Sequence, residues 1–162
     1  MDEELAQLAL QLSERLSSLG VTIATAESCT GGWVAKVLTD IAGSSSWFER
    51  GFVTYSNAAK QEMLAVPPAL IEAEGAVSET VVLEMVRGAI ANSDADLALA
   101  VSGIAGPGGG TPEKPVGTVW FAWGRSGSTP IARMEQFDGD RDRVRRLAVS
   151  TALLGVLDLI GR

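Results

Sequence analysis

The sequence predicts an α/β fold: a single layered α/β/α domain over residues 1–162, with a mixed, partly parallel sheet ending in a β-hairpin. Three observations predict it. Short apolar runs at 21–26 and 97–102 are bounded by helical patterns, as buried parallel strands are. Amphipathic segments alternate with strand-like runs through most of the chain. Two strand-like runs then follow one another around a Gly/Ser turn, and one long helix closes the sequence.

Leu5, Leu8, Leu12, Leu16 and Leu19 recur at spacings of three and four, which predicts a first amphipathic helix stopped by Gly20. Val21 to Ala26 reads as a buried strand. Gly31 to Ile41 reads as a helix with Val34, Val37, Leu38 and Ile41 on its apolar face. After the loop Gly43 to Ser46, the aromatic and β-branched run Phe48 to Tyr55 predicts a second strand. Ser56 and Asn57 offer an N-cap for a short helix carrying Lys60, Met63 and Leu64. Pro67 and Pro68 break the chain before another short helix ending near Gly75. Ser78 caps a longer helix from Glu79 to about Asn92. Leu97 to Ser102 is a third strand, and a Gly/Pro loop runs from Gly103 to Pro115. Val116 to Trp123 and Ile131 to Phe137 form a hairpin around Arg125 to Ser128. The last helix runs from Asp140 to about Ile160, with Val144, Leu147, Ala148, Thr151, Leu154 and Leu157 facing inward.

Bulk composition narrows the function. The chain is 46% hydrophobic and 20% charged, as a globular protein is, and its net charge of −7 lacks the basic footprint of a nucleic-acid binder. No apolar run approaches the roughly 20 residues of a membrane span. Met1 to Glu4 is acidic, the reverse of a signal peptide, and a single cysteine fits a reducing cytoplasm. With no histidine and one cysteine, neither a zinc nor a copper site is expected; an all-oxygen magnesium site stays open but has no dedicated motif.

The chemistry concentrates in Thr25 to Trp33, a polar turn between a strand and a helix. Such a turn gathers free N–H groups at the positive end of a helix. It can expose Ser28 as a nucleophile, with N–H groups around Cys29 to Gly32 holding an oxyanion or a phosphate. Equally, Ser28 or Thr30 can simply cap the helix. Cys29 is a rival nucleophile, since a helix N-terminus lowers a thiol pKa. Without histidine, a base for Ser28 must come from elsewhere, and lysine is the main candidate. Lys60 qualifies only if burial or positive potential brings its pKa from ~10.4 toward ~7–8. Otherwise it is a solvated helix residue, and Lys36 and Lys114 compete with it.

Two further segments stand out. Val101 to Thr111 leaves the end of a buried strand, where open α/β sheets bind ligands, and its glycines free N–H groups. It matches neither a Walker A loop nor a dinucleotide fingerprint. Arg141 and Arg145 share a helix face and can clamp a phosphate. Arg143 and Arg146 read as a solvated charge ladder, with Asp142 paired to Arg146. The four tryptophans read as core or interface residues, with Trp47 suited to an oligomer surface.

Taken together, Thr25 to Gly32, Gly51 to Asn57 with Lys60, Gly75 to Ser78, Val101 to Pro107, Lys114 to Val119, and Gly139 to Arg141 with Val144 and Arg145 resemble the CinA C-terminal domain family. The resemblance is to its stand-alone nicotinamide-mononucleotide deamidases and runs from about residue 4 to 160. The molybdopterin-binding-like domain of longer members has no counterpart in this sequence. The resemblance implies hydrolysis of the nicotinamide mononucleotide carboxamide to nicotinate mononucleotide and ammonia, in pyridine-nucleotide recycling. It implies a serine–lysine pair, which falls on Ser28 and Lys60, with Tyr55 as a helper and no cofactor. Substrate contacts are then expected from Thr30, Gly31, Gly32, Ser102, Gly103, Arg141 and Arg145. It further implies a homodimer. Two other readings stay open: a pyridine-nucleotide-binding regulatory module without turnover, and an amidase using Cys29.

Overall fold

The computed structural model describes residues 2–161. Five strands form one mixed sheet in the order β2-β1-β3-β4-β5. The strands are β1 (Ile23–Glu27), β2 (Phe48–Val53), β3 (Leu97–Gly103), β4 (Thr118–Arg125) and β5 (Ile131–Gln136). β1 runs parallel to β2 and β3, while β3–β4 and β4–β5 are antiparallel. Six helices cover the sheet: α1 (Glu3–Leu19), α2 (Trp33–Thr39), α3 (Asn57–Leu64), α4 (Pro68–Glu74), α5 (Glu79–Ala91) and α6 (Arg141–Ile160). Among the described residues no helix is long and apolar enough to cross a membrane.

The two faces of the sheet differ in side-chain size. Ile23, Leu97, Leu99, Val101, Phe121 and Trp123 fill the core under α1, α2 and α6. The opposite face is built from Ala24, Ala26, Ala98, Ala100 and Ala122, beneath α3, α4 and α5. An alanine floor lets those helices sit close to the sheet. Close approach recurs between the helices: a Cβ on Gly88 of α5 would collide with the Leu64 carbonyl at the end of α3.

The structure bears out the fold class and moves several details. Trp47 is buried in the larger core, so it cannot serve the oligomer surface expected of it. It follows a 3-10 turn at Ser44–Ser46 that folds the ring inward, and its carbonyl accepts the Ile23 N–H at 2.8 Å. Leu19 is exposed, because the helix ends at Gly20 and the core line of α1 is Leu5, Ala9, Leu12 and Leu16. In α6, Leu147, Thr151 and Leu154 are only half-buried. That helix is sandwiched between the sheet and α1, and Val149, Ala152, Leu153 and Val156 take the inner positions. β1 extends one residue beyond the apolar run to Glu27, and β2 stops at Val53, short of Tyr55. Both shifts matter for the site.

Candidate active site

β1 ends beside β3, with Glu27 opposite Val101 and β3 running on to Gly103. The chain then leaves β1 in a tight turn whose first N–H, from Ser28, donates to the Val101 carbonyl at 3.0 Å. On the other side, the Thr54 N–H donates to the Glu27 carbonyl at 2.7 Å. β2 therefore delivers Thr54 and Tyr55 beside Ser28 as extended backbone outside the sheet, with their carbonyls unclaimed by a strand.

Those carbonyls receive a lysine. Ser56 caps α3 by accepting the Ala59 N–H at 3.0 Å, which sets Lys60 one turn into the helix on its inner side. Lys60 is 1% exposed. Its Nζ lies 2.9 Å from Ser28 Oγ, 2.8 Å from the Thr54 carbonyl and 3.1 Å from the Tyr55 carbonyl. Burial pushes the ammonium down to about 8. As an ammonium, Lys60 donates to all three oxygens. As a neutral amine it has two N–H groups and a lone pair. The two carbonyls can only accept, so they claim both hydrogens and the lone pair faces the Ser28 hydroxyl.

Ser28, Lys60, Tyr55, Ser102, Gly103 and Arg141 border a cleft of about 280 Å³ at this end of the sheet. The Ser102 hydroxyl donates to the Ala76 carbonyl at 2.9 Å, tying β3 to the segment before α5. Arg141 donates to the Gly106 carbonyl at 2.8 Å and to the Tyr55 hydroxyl at 3.2 Å, bridging the glycine loop and the aromatic rim.

Four residues expected to contact substrate lie outside the lining of this cleft: Thr30, Gly31, Gly32 and Arg145. Several of their polar groups are used within the turn. The Thr30 hydroxyl donates to Glu27 at 2.6 Å, the Gly32 N–H to the same oxygen at 3.2 Å, and the Gly31 N–H to the Ser28 carbonyl at 3.0 Å. Arg145 donates to the Cys29 carbonyl at 3.0 Å and the Thr30 carbonyl at 3.2 Å, with its guanidinium over the Trp33 ring. Among the described residues, neither the Cys29 N–H nor the Thr30 N–H donates to another residue, and Cys29 is the one of the two that lines the cleft.

The rival residues are placed elsewhere. Lys36 pairs with Asp40 on the exposed side of α2, and Lys114 donates to the Glu74 carbonyl. Cys29 is buried, and burial pushes its thiol up to about 11, which keeps it protonated. Arg146 pairs with Asp2 and Glu4 rather than with Asp142, because α1 packs against that side of α6. Arg143 donates to the Asp138 carbonyl.

Sequence reasoning missed the role of Glu27. Its fully buried carboxylate accepts from Thr30 and Gly32, and also from the Val34 N–H at 2.9 Å and the Ala35 N–H at 3.0 Å. The signal was a carboxylate ending a buried apolar run just ahead of a helix whose first N–H groups need acceptors.

The family model of the CinA C-terminal domain matches residues 5–160. The chain belongs to the CinA C-terminal domain family. Family members at high identity include the nicotinamide-nucleotide amidohydrolase PncC of Escherichia coli (strain K12), 59% identical over 94% of this chain and 92% of its own length. The protein of the same name from Pseudomonas putida is 54% identical over 97% of this chain and 98% of its own. Among solved structures of the family, the competence/damage inducible protein CihA of Agrobacterium tumefaciens superposes with a TM-score of 0.93. It is 43% identical and the match covers 98% of this chain and 96% of that one.

Proposed function

We propose that this chain hydrolyses the carboxamide of nicotinamide mononucleotide, releasing nicotinate mononucleotide and ammonia through a Ser28 acyl-enzyme with Lys60 as the base. The observation that carries the reading is the buried Lys60 amine 2.9 Å from Ser28 Oγ, with its remaining directions taken by two backbone carbonyls. The names of the E. coli and P. putida relatives support the substrate.

Neutral Lys60 takes the hydroxyl proton as Ser28 attacks the amide carbon. The developing oxyanion is met by the N–H of Cys29, the residue after the nucleophile, and by the Gly103 side of the cleft. Collapse of the tetrahedral species breaks the C–N bond, and the Lys60 ammonium gives its proton to the departing amine. Water then enters, Lys60 again takes a proton, and hydrolysis of the ester frees nicotinate mononucleotide and Ser28. Arg141 is the cleft-lining cation and is the group assigned to the 5′-phosphate. Arg145 acts through the turn instead of touching the substrate.

Ammonia release from nicotinamide mononucleotide tests the reading. The wild-type protein is expected to turn the substrate over, and Ser28→Ala is expected to reduce kcat by about 10³-fold or more. Binding of the nucleotide with no ammonia released by the wild-type protein would make the chain a regulatory module instead. Loss of activity in Cys29→Ala but not in Ser28→Ala would make it a cysteine amidase.

A further inference from the structure

The Ser28 turn is gripped from two sides by opposite charges. Glu27, buried and immediately before Ser28, collects the Thr30 hydroxyl and the Gly32, Val34 and Ala35 N–H groups. Arg145 collects the Cys29 and Thr30 carbonyls from the opposite direction. Between them they take one hydroxyl, three N–H groups and two carbonyls of the turn and the start of α2, and leave the Ser28 side chain and the Cys29 N–H free of both. The Glu27 backbone carbonyl meanwhile accepts from the Thr54 N–H, and Thr54 is one of the two residues whose carbonyls orient Lys60. One residue thus links both halves of the dyad, the serine turn through its carboxylate and the lysine cradle through its carbonyl.

A capping carboxylate alone explains one or two N–H bonds at a helix start. Here a fully buried carboxylate takes three N–H groups and a hydroxyl. Removing a carboxylate from water is costly, and these four bonds offset that cost only if the turn keeps its conformation. The charge therefore holds the turn rigid: any shift that breaks one bond leaves a buried charge less satisfied.

We infer that Glu27 is a positioning residue for the nucleophile. It holds the Ser28 turn in the one conformation that puts Oγ against Lys60 and leaves the Cys29 N–H open to an oxyanion. The inference rests on Ser28 being the nucleophile. It concerns a residue that touches neither substrate nor base with its side chain. Rate losses from a small misplacement of reacting atoms are large, so loosening the turn acts on the chemical step and leaves binding nearly intact.

The experiment compares Glu27→Gln and Thr30→Val with wild type and Ser28→Ala. Glu27→Gln keeps the amide oxygen for Thr30, Gly32 and Val34 but removes the charge and turns an NH₂ toward the Ala35 N–H. Thr30→Val removes one of the four donors in a side chain of the same shape. Each protein is treated with a fluorophosphonate, and intact mass is followed in time. The end point of labelling counts chains with a competent nucleophile, and the rate reports how well that nucleophile is placed. Deamidation is measured alongside. For Glu27→Gln the expected result is a labelling rate and a kcat both reduced about 10-fold or more, with KM within about twofold and a wild-type end point. Thr30→Val is expected to lose about threefold in the same two quantities. A lowered end point at an unchanged rate, or wild-type rates in both variants, would overturn the positioning role. If Ser28→Ala is still labelled and still active, the failure lies with the nucleophile assignment itself, whatever the Glu27 variants do.

Discussion

The Lys60 amine is held 2.9 Å from the Ser28 hydroxyl by the Thr54 and Tyr55 carbonyls, and in the proposed mechanism the charge state of the lysine decides whether the serine can react. Lys60→Arg tests this most sharply. Arginine keeps a positive donor near the carbonyls but stays protonated at any working pH. It is expected to lose at least about 10³-fold in kcat for deamidation, no better than Lys60→Met. A Lys60→Arg variant retaining a tenth of wild-type kcat would show that Lys60 acts through its charge and not as a base.

The pH profile follows from the same burial. Lys60 is pushed down to about 8, so the neutral, proton-accepting form gains population as pH rises through that value. The value of kcat/KM is expected to climb about tenfold per pH unit below that pKa and level off above it. A profile flat from pH 6 to 9 would separate the lysine from the rate-limiting proton transfer.

Cys29 follows Ser28 in sequence but sits in the core with a thiol pushed up to about 11. Iodoacetamide at pH 7.5 is therefore expected to leave the native protein unalkylated for hours, because the thiolate is scarce and buried. Cys29→Ala is expected to retain kcat within about threefold. Rapid alkylation that abolishes deamidation would reverse the assignment.

Much of this was legible in the sequence because it rests on local signals. Apolar periodicity located α1, Ser56 and Ser78 marked the starts of α3 and α5, and the run Leu97 to Val101 announced a buried strand. The resemblance to the family paired Ser28 with Lys60 before any distance was known. What stayed hidden was long-range. Nothing local says that Arg145 reaches the Cys29 and Thr30 carbonyls while Arg141, one helical turn away, faces the cleft. Trp47 looks like a surface aromatic after a serine loop until the 3-10 turn rotates it inward. Glu27 was read as a polar residue of a turn, because a buried carboxylate is recognisable only from the four donors that surround it.

Packing around the lysine helix gives an independent check on the fold. Gly88 lies where α5 meets the end of α3, and a methyl group there would run into the Leu64 carbonyl, which is backbone and cannot swing away. Gly88→Ala is expected to lower stability by about 1–3 kcal/mol despite the better helix propensity of alanine. Urea denaturation would measure it, and a stabilised Gly88→Ala protein would mean that α3 and α5 are not packed this closely.

Burying a lysine also leaves a mark on stability as a function of pH. In the unfolded chain Lys60 keeps its ordinary value of 10.5, while in the folded protein it falls to about 8. Between those two values the unfolded state binds more protons than the folded one, so this residue makes unfolding free energy rise with pH across that window. Below about pH 8 both states carry the proton, and the folded protein bears the full cost of a buried charge. Above the ordinary lysine range neither state does, and the cost is gone. The shift corresponds to about 3 kcal/mol across the window, an upper figure because other groups titrate there too. Lys60→Met removes the titration and keeps an unbranched side chain of similar length. It is expected to be more stable than wild type at pH 7, with the difference shrinking steadily toward pH 10. Equal stability of the two proteins at every pH from 7 to 10 would show that Lys60 is not held in a desolvated site, and would remove the physical basis for its neutrality near pH 8.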